Sequence, residues 1–421
     1  MKKRIIAVLC FLAMLFSMTT LGSFSSAAAG VWLDKDMPQN LDYSFAVIGD
    51  IQSLSYFDAD RNTTYLEDMF DWILDNKEER KIEYIFELGD TVETLTTYPE
   101  KNRNPLEWIM ARTQFRRLYN SDGSVIIPYM VVRGNHDDEK GYHKYVCNEN
   151  YQAQMDEFFY DSEKPATLGN SMSNSYRKIE IGNHKYLMLG LDYNADDTVL
   201  NWASEVISAN PDYKVIISIH AYLNGRGSFL GGTVGSSNAD NTELEYIPFS
   251  GQDLWNKLFR RHENIFMVLC GHASVRNPVV NTRTGLHGNK IIEILVDPQS
   301  FDWDQVVDYG EKAGGFVLMV NVTNGGECVE LEYYSTAYKK YFEERNQRVI
   351  ELDEGTLPKY VAPVTTVVTT TDAMATTEIT MLPDELTQSK GCRSTFATGV
   401  AICCSIGTSL AAFAMRRIKE D

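Results

Sequence analysis

The sequence predicts a layered α/β domain, followed by a disordered stalk and a C-terminal transmembrane helix. Three observations carry this. Short apolar runs bounded by turn residues recur at 44–48, 82–88, 125–132, 186–191, 214–219, 265–269, 291–296 and 316–322, the pattern of buried strands. Helical patterns lie between several of them. Beyond residue 352 all periodicity stops, and Thr and Pro dominate until a long uncharged stretch near the C-terminus.

The clearest helix puts Leu66, Met69, Phe70, Ile73 and Leu74 on one face, with Thr64 and Glu67 spaced as a capping box. Strands alternating with helices argue for helices packed on a sheet. The later strands have no long helices between them. They suggest a mixed sheet, or a sandwich with helices outside. No internal repeat is found in the sequence.

The chain has 421 residues, 44% of them hydrophobic, which suffices for a large core. Its formal net charge of −19 opposes nucleic-acid binding by phosphate neutralisation, so none is expected. Any phosphate chemistry would need bound cations to reverse the local field. Cys147, Cys270 and Cys328 are too scattered for a disulfide framework, and Cys270 ends an apolar run as a buried thiol would.

Residues 1–29 form a basic, then apolar, then small-residue segment ending in Ala27, Ala28 and Ala29, the pattern of a cleaved signal peptide. Residues 30–352 form the α/β domain. Residues 353–393 are expected to be a disordered Thr/Pro-rich linker. Residues 394–415 carry no charge and are long enough to cross a bilayer as a helix. Arg416, Arg417 and Lys419 follow in the basic tail 416–421, which places the C-terminus in the cytoplasm and the domain outside, on the cell surface.

The candidate chemistry lies where the predicted strands end. Residues 44–48 run into Gly49-Asp50-Ile51-Gln52, 82–88 into Gly89-Asp90, and 125–132 into Arg133-Gly134-Asn135-His136-Asp137. The strand at 214–219 ends at His220, and that at 265–269 at Cys270-Gly271-His272. Open α/β sheets place their ligand crevice at strand carboxyl ends. A Gly-Asp pair after a strand is usually a turn, and a lone histidine there is usually structural. Independent turns would not all choose oxygen and imidazole groups, so the ordered set points to a metal site.

That ordered set resembles the motif series of calcineurin-like metallophosphoesterases over residues 43–334, and Gly134-Asn135-His136-Asp137 is its most specific element. Trp202 and the segment His220-Ala221-Tyr222-Leu223 are similar to one secreted bacterial branch. The resemblance implies a four-layer α/β/β/α sandwich with mixed sheets. It implies an extracellular hydrolase of phosphate mono- or diesters that uses two divalent cations (Mn, Fe, Zn or Mg) and a bridging hydroxide. Asp90 would bridge the cations, Asp50 and Gln52 would bind the first, and Asn135, His220 and His272 the second. His136 would protonate the leaving oxygen, with Asp137 orienting its ring.

Two departures fall on the first cation. The family has Asp-x-His where this chain has Asp50-x-Gln52, and Gly-His-x-His where it has Gly271-His272-Ala273-Ser274. The first site is thereby weakened, so that one ion per chain is also conceivable. Being oxygen-rich, it should prefer Mn²⁺ or Mg²⁺ to Zn²⁺. His287 is within sequence reach as a replacement ligand, although a loop role is the simpler reading. Glu93 is a candidate outer residue, and His143, His184 and His262 read as surface. The rival to an enzyme is a catalytically silent surface module that keeps the fold. A second rival is a domain with a single metal ion.

Overall fold

The computed structural model describes residues 32–61, 63–93, 105–137, 149–231, 249–299 and 314–363. The expected signal peptide, the membrane span, the linker beyond 363, His143 and Cys147 lie outside the described residues.

Elements follow in chain order as β1 (Trp32–Leu33), β2 (Leu41–Ile48), α1 (Gln52–Arg61), α2 (Tyr65–Asp75), β3 (Ile82–Glu87), α3 (Pro105–Arg116), β4 (Tyr129–Val131) and α4 (Glu149–Phe158). Next come β5 (Ala166–Leu168), β6 (Ser171–Ile181), β7 (His184–Leu191), α5 (Asp197–Ser208), β8 (Lys214–Ile219), α6 (Gly251–Lys257) and β9 (Ile265–Cys270). The last are β10 (Val279–Thr284), β11 (Lys290–Leu295), β12 (Phe316–Thr323), β13 (Cys328–Ser335), β14 (Lys340–Phe342) and β15 (Arg348–Glu351). Every apolar run singled out in the sequence contains a strand, though the run 125–132 is a strand only over Tyr129–Val131. The strands that the sequence reading missed are short, at an edge, or polar on one face.

Two mixed sheets result. One has the order β1-β14-β13-β12-β2-β3-β4, with β15 beside β13; the other runs β10-β11-β9-β8-β7-β6-β5. Strands β2, β3 and β4 are parallel, and so are β7, β8, β9 and β11, so each group brings its carboxyl ends to one edge.

Side-chain alternation explains the layering. Phe45 and Val47 of β2 pack with Phe86, Tyr186, Met188, Ile216 and Ile292, in a core shared by both sheets. Ala46 and Ile48 point the other way, into a cluster with Phe57, Phe70, Phe115 and Phe158 of α1 to α4. Leu187, Leu189 and Ile217 of the second sheet pack on Leu200, Ala203 and Leu254 of α5 and α6. The order is helices, sheet, sheet, helices.

The capping box expected at Thr64 is not formed: Thr64 makes no side-chain cap bond. Asp58 of α1 takes that role instead, accepting from the main-chain N–H of Tyr65 at 2.8 Å and of Leu66 at 2.9 Å. A carboxylate delivered by tertiary packing satisfies two N–H groups at the helix start.

The boundary expected at 352 moves outward. Leu357 is buried in the shared core, and the Tyr360 ring lies against Tyr43 and His184. His184 is correspondingly not a surface residue but buried. Its Nε2–H donates to the Pro358 carbonyl at 2.7 Å, so Nδ1 accepts from the Tyr43 hydroxyl at 2.5 Å, and Tyr186 in turn donates to Tyr43. Among the described residues no helix is long and apolar enough to cross a membrane.

Burial lowers the pKa of His184 below its ordinary 6.5. The unfolded chain therefore takes up the proton first, and stability falls as pH drops below 6.5 towards the lower folded value. Urea unfolding followed across this range should show a loss of stability on acidification. His184→Gln, which does not titrate, should show a smaller one.

Candidate metal centre

The centre straddles the two sheets. The ends of β2, β3 and β4 supply Asp50, Gln52, Asp90 and Asn135; the ends of β8 and β9 supply His220 and His272. Asp50, Asp90 and His272 adopt left-handed backbone at φ 52°, 57° and 71°, a conformation non-glycine residues seldom hold without a tertiary reason. The neighbouring glycines make room. A Cβ on Gly134 would lie 2.1 Å from Asp90 Oδ1, and one on Gly271 would lie 2.1 Å from Asp50 Oδ2.

Ligand atoms of Asp50, Asp90 and His220 lie within 4.8 Å of one another, and all three residues are buried. His220 Nδ1–H donates to the Leu88 carbonyl at 2.8 Å, which turns Nε2 inward. Nε2 then meets Asp90 Oδ2 at 3.3 Å, Asn135 Oδ1 at 3.1 Å and His272 Nδ1 at 3.2 Å. Asn135 Oδ1 is also 2.9 Å from His272 Nδ1. One proton on Nε2 cannot satisfy so many acceptors, whereas a cation among them can. His272 further donates its main-chain N–H to Asp50, at 3.0 Å to Oδ1.

The electrostatics point the same way. Burial raises the pKa of Asp50, and the charges of Asp297 and Asp90 add to the rise. Burial and the charge of Asp137 raise Glu87. Burial pushes Asp137 and Asp297 each up to about 7. Burial also opposes ionisation of Asp90, but His220 and His136 outweigh it and hold that carboxyl below the usual range. Burial and the neighbouring His220 push His272 down to about 3, so its ring is neutral, as a metal ligand must be. Burial disfavours a charge on His220, yet Asp90 outweighs it and raises its pKa overall. A crowd of buried carboxylates beside neutral imidazole and amide ligands fits divalent cations.

The structure corrects the expected role of Asp137. Its carboxylate accepts from the main-chain N–H of Thr91 and Gly134 at 2.8 Å, Asp90 at 3.0 Å and Val92 at 3.2 Å. It ties two loops together and does not orient His136. The His136 ring lies instead against Glu93, with Nδ1 at 3.2 Å from the Glu93 carbonyl oxygen and 3.7 Å from Oε2. Its Nε2 is 3.9 Å from Asp90 Oδ2. His287 is exposed and bonds the Arg261 carbonyl. It lines a cavity with Lys214, at the opposite end of β8 from His220, so it takes no part. His262 is half-buried against Ser204.

Several residues of the centre were not foreseen. Asp297 and Gln299 follow β11, and Gln299 lies 2.9 Å from Gln52. The rule that found the others, a polar group directly after an apolar strand, applies equally to Val296-Asp297. Arg133 was passed over as part of a motif. It forms a buried ion pair with Asp192 at the end of β7, at 2.8 to 3.1 Å, and so clamps the β4 loop to the second sheet.

A family model described as calcineurin-like phosphoesterase matches residues 43–303, more than half of the chain. The chain belongs to the calcineurin-like phosphoesterase family. Its sequence is 26% identical over 236 residues to the uncharacterised protein YvnB of Bacillus subtilis strain 168, a stretch covering 55% of this chain and 15% of that protein. The match thus spans a small part of that curated relative. GAP50, the anchor in the inner membrane complex of Plasmodium, is 11% identical with a TM-score of 0.39, covering 75% of this chain and 91% of that one. TT1561 of Thermus thermophilus gives 9% identity and a TM-score of 0.30 over 74% of this chain and 99% of that one. The phosphoesterase Yfce from E. coli gives 11% and 0.29 over 74% and 100%. At such scores these three have no bearing on activity.

The altered role of Asp137 is testable. Asp137→Ala would orphan buried N–H groups at about 1–3 kcal/mol each, so urea unfolding should show a loss of about 3 kcal/mol or more, and retained metal should fall with it. A residue that merely oriented His136 would leave both unchanged and alter only turnover.

Proposed function

We propose that this chain hydrolyses phosphate mono- or diesters with the help of divalent cations. The observation that carries the reading is the convergence of Asp50, Asp90, Asn135, His220 and His272 from separate strand ends on one buried spot, with His136 at its edge. Asp90 would be the shared ligand, Asp50 and Gln52 would serve one cation, and Asn135, His220 and His272 would serve the other. When bound there, such cations polarise a phosphoryl oxygen and lower the pKa of a coordinated water.

The chain's own contribution is orientation and proton transfer. The left-handed backbone at Asp50 and Asp90 aims both carboxylates inward. His220 Nδ1 is engaged by Leu88, which fixes the ring so that Nε2 faces the centre. His136 is partly exposed, and its Nδ1–H donates to the Glu93 carbonyl. Nε2, on the Asp90 side, then hands its proton to the departing alcohol oxygen, the doubly protonated ring becoming neutral as it does so.

The segment 1–29, the uncharged stretch 394–415 and the basic tail 416–421 support an extracellular protein tethered to the cell surface by a C-terminal helix. On that reading the full chain fractionates with membranes, and a chain ending at residue 363 is secreted and equally active per molecule. Recovery of the untreated full chain as soluble protein would defeat the tether.

Asp90→Ala should lose both cations and all turnover. His136→Ala should keep the cations and lower kcat by about 10²–10⁴-fold, with a smaller loss for esters whose leaving groups need little protonation. Equal losses for good and poor leaving groups would remove His136 from the role. Full turnover by Asp90→Ala would show that the centre is not where hydrolysis occurs.

A further inference from the structure

The Gln52 amide is surrounded by oxygens. One end lies 2.7 Å and 3.0 Å from the carbonyl oxygens of Asp50 and Asp90; the other lies 3.3 Å from Asp90 Oδ2 and 2.9 Å from Gln299 Oε1. With its nitrogen towards the two main-chain carbonyls, both N–H groups are satisfied. The opposite orientation would press the amide oxygen against those same carbonyls. In the satisfied orientation, Gln52 Oε1 is fully buried and points at Asp90 Oδ2 and Gln299 Oε1.

Gln299 is itself held in place. Its Nε2 donates to Asp297 Oδ2 at 3.2 Å, and its main-chain N–H donates to Asp297 Oδ1 at 3.1 Å. That directs Gln299 Oε1 towards Gln52. The turn is docked beside the β9 loop, because the Asp297 carbonyl accepts from the Val275 N–H at 2.8 Å. Strands β9 and β11 are neighbours in register, Cys270 opposite Leu295. Gln299 therefore enters from the strand next to the loop where Ser274 stands in place of a histidine. With Gln299 Nε2 engaged by Asp297, the oxygens of Gln52, Gln299 and Asp90 face one another, which is repulsive alone and attractive around a cation.

We propose that Gln299 Oε1, positioned by Asp297, is a ligand of the first cation and completes an all-oxygen set with Asp50, Gln52 and Asp90. The first site is thus not the remnant of a lost histidine site. It is rebuilt from β11 for a hard cation, Mn²⁺ or Mg²⁺, in preference to Zn²⁺. This rests on the two-cation reading above, and the test separates the two.

The full-length protein, stripped by chelation, is titrated with Mn²⁺ by calorimetry and by electron paramagnetic resonance. Two equivalents are expected for the native chain. Gln299→Leu should keep one equivalent and bind the other at least ~10–100-fold more weakly, the scale of losing one supporting group at a metal site. Gln299→Glu retains an oxygen at the same place and should restore two equivalents. Were Gln299 only an N–H donor to Gln52, Gln299→Glu would fail as Gln299→Leu does, and the inference falls. Two unweakened equivalents in Gln299→Leu would also overturn it. Fewer than two in the native chain would instead defeat the two-cation reading.

Discussion

The Asp137 carboxylate, saturated by main-chain N–H groups of Asp90, Thr91, Val92 and Gly134, joins the loop after β3 to the loop after β4. Much of the centre depends on that junction. It holds Asp90 in a left-handed conformation, and it brings Gly134 so close that any Cβ there would strike the Asp90 carboxylate. Asp90 Oδ1 then accepts from the His136 N–H at 2.9 Å, while Oδ2 turns towards His220 and Gln52. One buried anion thus holds the backbone, so that a second can act as a ligand.

The second sheet is brought to the same point by other means. The buried pair of Arg133 with Asp192 ties β4 to the end of β7. The His220 ring crosses between the sheets to the Leu88 carbonyl. Both contacts bury charge or polar groups, with a desolvation cost that good geometry only offsets. Their value lies in fixing the distance between two carboxyl edges that hydrophobic packing alone would leave approximate. The shared aromatic and aliphatic core supplies the bulk of the cohesion, and the polar links set the register of the site on top of it.

The crowding of Asp50, Glu87, Asp90, Asp137 and Asp297 in one dry region gives the centre its chemical character. Most of these groups have raised pKa values, first because burial disfavours their charge and then because neighbouring carboxylates add to the rise. The same arrangement attracts multivalent cations strongly. On the proposed function, cations held there would reverse the local field of an acidic protein for an anionic ester.

The sequence by itself determined the strands that form both cores, the motif-bearing strand ends and the family. Continuous apolar runs such as 265–269 are buried on both faces, and that requirement is written in local composition. Only the tertiary structure decided what each polar group is used for. Asp137 sits next to His136 in sequence, yet its carboxylate is consumed by amides delivered from another loop, and Glu93 from that loop meets the ring. His184 looks solvated among polar neighbours but is buried by a segment whose composition suggested disorder. Gln299 is two hundred and forty-seven positions from Gln52, and no spacing rule connects them. Burial is a property of short stretches of chain, whereas a hydrogen-bond partner or a ligand set is chosen by distances that exist only once both sheets have packed.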